Sequence, residues 1–368
     1  MLNQEEINRY ARHLALPEVG ISGQEKLKSS RVLLIGAGGL GSPMALYLAA
    51  AGVGPIGLID YDVVDSSNLQ RQILFTENSV GKGKVVEAKE KLESLNSHIR
   101  ITIHEEKLTK ESVHSIFSQY DIIADGSDNF PTRYLVNDAC VLLGIPYIFG
   151  SILRFSGQIS IFGAKNGPCY RCLYPEPPDP DTVPNCNEDG VLGVLPGVIG
   201  TLMATEVLKN LLNIGKPLIG RLLMYEALEM SFREFAVRKN PECPVCGDHP
   251  SIKELIDYET FCNGRATIKI NLQSDDISPE NYAVLRTQQK HLLLDVREPY
   301  EFQLANLGGM LIPLSELPSR LTEIPRDIDI VVICKEGVRS RRGVEILKKN
   351  GYSHVRNLAG GINAFIKM

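Results

Sequence analysis

From Val32 to Ile59 the chain carries no charged residue, yet seven glycines interrupt the stretch. Val32-Leu-Leu-Ile35 is the continuous apolar run that a strand buried on both faces requires, residues 44–51 are rich in helix formers, and Ile56–Ile59 is a second apolar run. Splitting in this way, the stretch reads as a buried βαβ unit rather than a membrane span. The loop Gly36-Ala-Gly38-Gly39-Leu-Gly41 joins strand to helix. Glycines there allow a tight turn and close backbone approach, and the free N–H groups of the helix start attract an anion. Asp60, about twenty residues on at a strand end, suits a ribose hydroxyl. On these residues alone the unit would serve a NAD or FAD redox domain as well as any other nucleotide-binding one.

The alternation continues with a helix over 83–95, strands over 99–104 and 120–124, a helix over 131–143 closed by Gly144, and strands over 145–150 and 158–162. This predicts an α/β fold, a Rossmann-like doubly wound sheet whose ligands meet the carboxyl ends of its strands. Residues 174–184 are too proline-dense for helix or central strand and read as a loop. A long apolar helix over 194–212 and strands over 222–225 and 232–237 follow. A second unit starts near Asp276, with strands over 292–296 and 330–333, a segment 311–314, a helix over 340–349 and a last strand over 354–357. It is large enough for a small independent α/β domain. The expected organisation is residues 1–250, a linker 251–275, and residues 276–368.

Two cations narrow the ligand. Arg71, in the polar run Ser67-Asn68-Leu69-Gln70-Arg71-Gln72, lies eleven residues past Asp60, and Lys84 thirteen further at a helix start. Both can converge on a polyphosphate whose ribose meets Asp60, an arrangement redox dinucleotide sites do not need. Asp125-Gly-Ser-Asp128-Asn129 brings carboxylates to the same sheet edge, where one could hold Mg²⁺ between phosphates.

Cys169-Tyr-Arg-Cys172 and Cys243-Pro-Val-Cys246 are two C-x-x-C pairs with seventy residues between them. Each pair has the spacing to bite one tetrahedral Zn²⁺, giving a long-range zinc staple without an open catalytic position. Cys186 stands alone in the proline-rich loop, as an exposed thiol able to reach an activated acyl group; the acids beside it, Glu188 and Asp189, should raise its pKa. Farther on, the apolar run 330–333 ends in Cys334-Lys-Glu-Gly-Val-Arg339-Ser340 where a helix begins. Backbone N–H groups and the helix dipole can surround that sulfur and favour a thiolate or persulfide. A cysteine-phosphatase cradle is the rival, but it has five residues between Cys and Arg; the four found here make a tighter loop that suits sulfane sulfur better.

Gly36–Gly41, Asp60, Ser67–Gln72, Gly83-Lys84 and Ser127-Asp128-Asn129 together resemble the MoeB/ThiF family of ubiquitin-activating-type adenylyltransferases, across residues 1 to about 250. The resemblance implies that Asp60 binds the ribose of ATP and that Asn68, Gln70, Arg71 and Lys84 surround its phosphates. Gly39, Ser67, Leu69 and Asn129 are further nucleotide-binding positions, and Asp128 holds magnesium. Arg12, in Arg9-Tyr-Ala-Arg12-His, would enter the neighbouring subunit's site in a homodimer, and Cys186 would form a thioester or a disulfide. Residues 276–368, through Cys334–Ser340 and Leu293-Leu-Asp295-Val-Arg297-Glu298-Pro-Tyr-Glu-Phe302, resemble a rhodanese domain. Where that family usually has His-Ile-x-Gly-Ala, this chain has Asn306-Leu-Gly-Gly-Met310, a change in a local turn rather than in the sulfur cradle.

Jointly the resemblances imply ATP-dependent adenylylation of the C-terminal carboxylate of a ubiquitin-like sulfur-carrier protein with a Gly-Gly-type tail. Arg71, Lys84 and Asp128 with Mg²⁺ would stabilise the developing charge. Cys334, flanked by Arg339 and loaded by a persulfide donor such as a cysteine desulfurase, would then attack the activated carbonyl, and Cys186 or an external reductant would release a thiocarboxylate. Molybdopterin, thiazole (thiamine), thiolated-tRNA and cysteine pathways use similar tails. Two other readings are an NAD-dependent oxidoreductase with an accessory domain, which leaves Arg71, Lys84 and the staple unexplained, and a non-catalytic scaffold, which would need a defective site. A net charge of −5 and no basic stretch with interleaved aromatics argue against a nucleic-acid surface. Met1-Leu-Asn-Gln-Glu-Glu has no basic-then-apolar leader, and the cysteine pattern suits metal or thiol chemistry, so a soluble cytoplasmic protein is expected.

Overall fold

In a computed structural model that describes residues 1–178, 190–263, 275–288 and 291–366, the uncharged stretch forms strand β1 (Val32–Ile35), helix Gly41–Ala50 and strand β2 (Ile56–Ile59). Both strands are buried along their whole length and pair in parallel, Val32 opposite Ile56 and Ile35 opposite Ile59, as unbroken apolar runs predict. Alternate residues of β1 feed opposite faces. Val32 and Leu34 join a cluster around Met44, Leu48 and Met203, while Leu33 and Ile35 join one around Phe117, Tyr134 and Phe149.

The sheet is completed by β3 (Ile101–His104), β4 (Ile122–Asp125), β5 (Tyr147–Leu153), β6 (Ser156–Phe162), β7 (Arg221–Glu226) and β8 (Ser231–Ala236), in the order 3-2-1-4-5-6-7-8. The first five are parallel and the last three antiparallel. The α/β, Rossmann-like expectation holds, with this antiparallel edge added; it starts between β5 and β6, where the turn at Arg154-Phe155 is far too short for a crossover helix. Winding reverses between β1 and β4, and that switch opens a crevice at the carboxyl ends of the strands. Gly144 closes helix Phe130–Leu143 at φ 68°, a left-handed cap of the expected kind.

The chain divides into two compact units, Met1–Thr267 and Ile268–Met368. Within the stretch expected to be linker, helix Tyr258–Asn263 packs on helix Phe130–Leu143 of the first unit. The second unit is a parallel sheet of β9 (Asp276–Ile277), β10 (His291–Asp295), β11 (Met310–Leu311), β12 (Asp329–Ile333) and β13 (Val355–Leu358), ordered 11-10-12-13-9. Of the expected segment 311–314 only Leu311 is strand. Gly308 and Gly309, at φ 81° and 95°, turn the chain into it, and a side chain on Gly309 would collide with the Leu293 carbonyl. The departure at 306–310 therefore keeps glycine where the backbone demands it. Among the described residues no helix is long and apolar enough to cross a membrane.

Candidate functional site

A cleft opens beyond β1, β2, β3 and β4, and the glycine loop forms its floor. Gly36 sits at φ 83°, and a side chain on Gly41 would collide with the Gly36 carbonyl. A Cβ on Gly39 would stand 3.2 Å from Pro196 and 3.8 Å from Arg71 Cδ, so Arg71 lies directly over the loop. Asp60 Oδ2 accepts from Ala37 N and Oδ1 from Asp62 N, both at 2.9 Å. These contacts fix its carboxylate beside the loop, and lone pairs remain for hydroxyl donors. Burial pushes the Asp60 carboxyl up, opposed by the two N–H groups and by Lys84. Lys84, itself buried, donates from Nζ to Asp62 Oδ2 at 2.8 Å.

The polar run 67–72 turns the chain more than it walls the cleft. Asp65 Oδ1 accepts from Ser67 N at 2.8 Å to start the 3₁₀ turn Ser66–Asn68, Leu69 packs on the core, and Gln70 backs onto Gly193, where any side chain would collide with it. Arg71 Nη1 donates to the Ser67 carbonyl at 3.0 Å. Arg71 and Gln72 line the cleft; Ser67, Asn68, Leu69 and Gln70 do not, and instead shape the backbone that presents them. Asp128 and Asn129 line it from the end of β4, and Asn129 also caps helix Phe130–Leu143 by accepting from Thr132 N at 2.9 Å. Arg12, on the short helix Ala11–Leu14, is exposed and lies outside the cleft lining.

Asp62 and Lys107, which the sequence reading passed over, also line the cleft, as do Gln72 and Ser127, which it quoted in motifs without giving them a role. Asp62 follows Asp60 by two residues and Gln72 ends the polar run, so both had a signal. Gln72 Oε1 and Ser127 Oγ are buried with no hydrogen-bond partner among the described residues. Such orphaned atoms are what a bound polar group satisfies, and with Arg71, Lys84 and the glycine floor the cleft fits a nucleotide polyphosphate.

The four sulfurs of Cys169, Cys172, Cys243 and Cys246 lie within 4.8 Å of one another, with Cys169–Cys172 at 3.9 Å, Cys169–Cys243 at 3.5 Å and Cys172–Cys246 at 3.3 Å. Four thiolates about 2.3 Å from one ion would be about 3.8 Å apart, so the residues fit a tetrahedral metal. Hydrogen bonding to Cys169 holds the Cys172 thiol down, while Cys172 and Cys243 push Cys169 up. Between the first two cysteines, Arg171 is buried between the rings of Tyr134 and Phe261, 4.7 and 4.5 Å from their centres. Its Nε and Nη2 each donate to Asp138 at 2.8 Å, and Tyr258 OH donates to Asp138 Oδ2 at 2.9 Å.

In the second unit Cys334 directly follows β12 and is only 1% exposed. Gly337 N donates to its Sγ at 3.1 Å from a residue at φ 91°, and helix Val338–Lys349 starts immediately behind. One backbone N–H of the expected cradle, that of Gly337, thus faces the sulfur, and the helix begins two residues earlier than expected. Arg339 is held by Glu301, a residue of the quoted signature whose partner the sequence did not disclose. Cys186 lies outside the described residues.

Residues 10–245 match the ThiF family model and residues 278–368 the Rhodanese-like domain model. The chain is 46% identical to the probable adenylyltransferase/sulfurtransferase MoeZ of Mycobacterium tuberculosis, covering 100% of this chain and 94% of that protein. It is 54% identical to the sulfur carrier protein adenylyltransferase of Thermus thermophilus, over 71% of this chain and 98% of that one. Among solved structures it is similar to E. coli MccB with ATP, at 27% identity and TM-score 0.56, covering 67% of this chain and 75% of that chain.

Proposed function

Because the chain belongs to the ThiF family and ends in a rhodanese-like domain, we propose that it activates the C-terminal carboxylate of a ubiquitin-like sulfur carrier with ATP and converts it to a thiocarboxylate. The observation that carries this reading is the presence in one chain of a glycine-floored cleft with Arg71 and Lys84 and of a cradled Cys334. The names of the relatives and the ATP bound to MccB support it.

Asp60 receives the ribose, and the glycine loop with Arg71 and Lys84 receives the phosphates. A carboxylate oxygen of the carrier forms a bond to the α-phosphorus, the bond to pyrophosphate breaks, and the two cations stabilise the charge that develops. Asp128 is the residue to hold Mg²⁺, which neutralises phosphate charge when bound. The four paired cysteines hold Zn²⁺ as a structural staple. The outer sulfur of a Cys334 persulfide then attacks the acyl carbon and AMP leaves. A second thiol, Cys186 or an external one, attacks the Cys334 sulfur, breaking the S–S bond, forming a new disulfide and freeing the thiocarboxylate. The persulfide comes from a separate donor such as a cysteine desulfurase. The unit works as a cytoplasmic homodimer in which Arg12 serves the partner's cleft, within a molybdopterin, thiamine or thiolated-tRNA type of pathway.

In the test, Cys334→Ala retains carrier-dependent ATP–pyrophosphate exchange and forms no thiocarboxylate, read by mass spectrometry of the carrier tail. Full sulfur transfer by that variant overturns the role of Cys334, and loss of exchange on supplying every candidate carrier overturns the activation step.

A further inference from the structure

Behind Cys334 runs a chain of polar groups that the backbone cradle does not require. Ser340 and Asn357 are fully buried, and Ser340 Oγ stands 2.6 Å from Asn357 Oδ1 and 3.3 Å from Cys334 Sγ. Asn357 Nδ2 donates to Asp276 Oδ1 at 2.9 Å, and Asp276 Oδ2 accepts from Arg341 Nη2 at 2.9 Å. The donation to Asp276 decides which end of the Asn357 amide faces Ser340: the oxygen, an acceptor. Helix Val338–Lys349 supplies Ser340 and Arg341, β13 supplies Asn357 and β9 supplies Asp276, so the arrangement is set by tertiary packing.

A hydroxyl has one proton to give. Ser340 can direct it to Asn357 Oδ1 or to Cys334 Sγ, not to both. Beside a neutral thiol the shorter contact to Asn357 takes it, and Oγ accepts from S–H. Beside an anionic sulfur, rotation of the O–H gives a charge-assisted hydrogen bond, stronger than the neutral one it replaces.

We infer that Ser340 is a positioning residue for the sulfur chemistry of Cys334, its hydroxyl switching from Asn357 to the sulfur as that sulfur becomes anionic. The inference rests on the reading of Cys334 as the sulfur-carrying nucleophile. During loading, Cys334 Sγ bonds to the outer sulfur of a donor persulfide and the donor's S–S bond breaks. The departing donor sulfur keeps the electron pair and takes the proton that Cys334 gives up, so nothing is oxidised overall. Asn357 returns the hydroxyl to its resting direction. The charged groups on the surrounding elements are Lys335 and Glu336 of the loop, Arg339 in the first turn of the helix paired with Glu301, Asp295 paired with Arg297, and Asp276 paired with Arg341. A change at Ser340 touches none of them, whereas Asn357→Leu takes the Nδ2 donor from Asp276 Oδ1 and leaves that carboxylate its pair with Arg341.

The test is the rate of alkylation of Cys334 by iodoacetamide in the full chain as a function of pH, followed by mass spectrometry of the Cys334 peptide, with thermal unfolding recorded for each variant. Ser340→Ala should move the midpoint of the profile up by about half to one pH unit, roughly a 3- to 10-fold smaller thiolate fraction below the midpoint. Asn357→Leu removes the competing acceptor and should move it down. An unmoved or lower midpoint in Ser340→Ala overturns the inference, as does a rise in Asn357→Leu equal to that in Ser340→Ala, which would mark loosened packing. If Ser340→Ala does not fold, Asn357→Leu decides alone: a fall supports the switch and no fall overturns it. Alkylation reports the thiol whether or not sulfur is transferred, so a Cys334 that shows these shifts yet carries no sulfur removes the proposed function and leaves the Ser340 switch standing.

Discussion

Glu301 grips the guanidinium of Arg339 with both carboxylate oxygens, at 2.6 and 2.7 Å. The pair ties helix Pro299–Leu304 to the first turn of helix Val338–Lys349, directly behind the Cys334 loop, and fixes the direction of that cation. Burial pushes the Glu301 carboxyl up, but Arg339 and the N–H of Glu298 outweigh it and hold the group below the ordinary range.

A carboxyl lowered on folding adds stability that is complete above its unfolded pKa and is lost as pH falls through the folded value. Glu301→Gln should therefore be less stable than the parent at neutral pH, by about 1–3 kcal/mol for a largely buried bidentate pair. The gap should close as pH falls below about 4.5, the ordinary glutamate range. Thermal unfolding at neutral and acidic pH checks both statements.

Lys84 should matter more than the carboxylate that holds it. Lys84→Met should lower carrier-dependent pyrophosphate exchange by about 10²–10³-fold, the usual effect of removing one group that stabilises developing charge. Asp62→Asn keeps the ammonium in the cleft and should cost less than about tenfold. Equal losses in the two variants would show that the ion pair, not the cation, is what the reaction uses.

The buried pair of Arg171 and Asp138 predicts a graded series. Asp138→Ala strands a guanidinium in the core and should cost about 3–5 kcal/mol. Tyr258→Phe removes one hydrogen bond to the same carboxylate and should cost about 1–2 kcal/mol. Urea unfolding of the full chain gives the comparison.

Metal analysis of the purified chain should find about one zinc per chain, the content of a four-thiolate site. Cys172→Ser should lower that content and the unfolding midpoint together. A strong chelator should destabilise the parent and leave the variant almost unchanged, since metal affinity of such a site adds directly to folding free energy.

The parts of this fold legible in the sequence are those that local chemistry determines. The apolar runs at 32–35 and 56–59, the glycines at 36–41 and the proline-opened, glycine-closed helix before Gly144 each carry their structure in their own residues. What escaped depends on partners far along the chain: Arg339 with Glu301, Arg171 with Asp138, and Ser340 with Asn357 lie 38, 33 and 17 residues apart. The antiparallel edge from β5 to β8 is likewise a pairing decision that no single strand announces. Helix Tyr258–Asn263 had a signal in the spacing of Tyr258 and Phe261, but six residues beside a break in pattern are too few to read as a helix. The polar run 67–72 invites assignment of every side chain to a ligand. Part of its polarity is turned on its own backbone, as the donation from Arg71 to the Ser67 carbonyl shows.

Tyr258 and Phe261 close over Arg171 from the far side of the second cysteine pair. The first unit is thus not finished where its four clustered cysteines end. A chain severed just after Cys246 would keep all four thiols and the whole sheet. It would nevertheless leave Asp138 short of a donor and one face of the Arg171 guanidinium open to water. The severing point that respects this unit lies after Asn263, and any exchange of the C-terminal unit for another should be joined there.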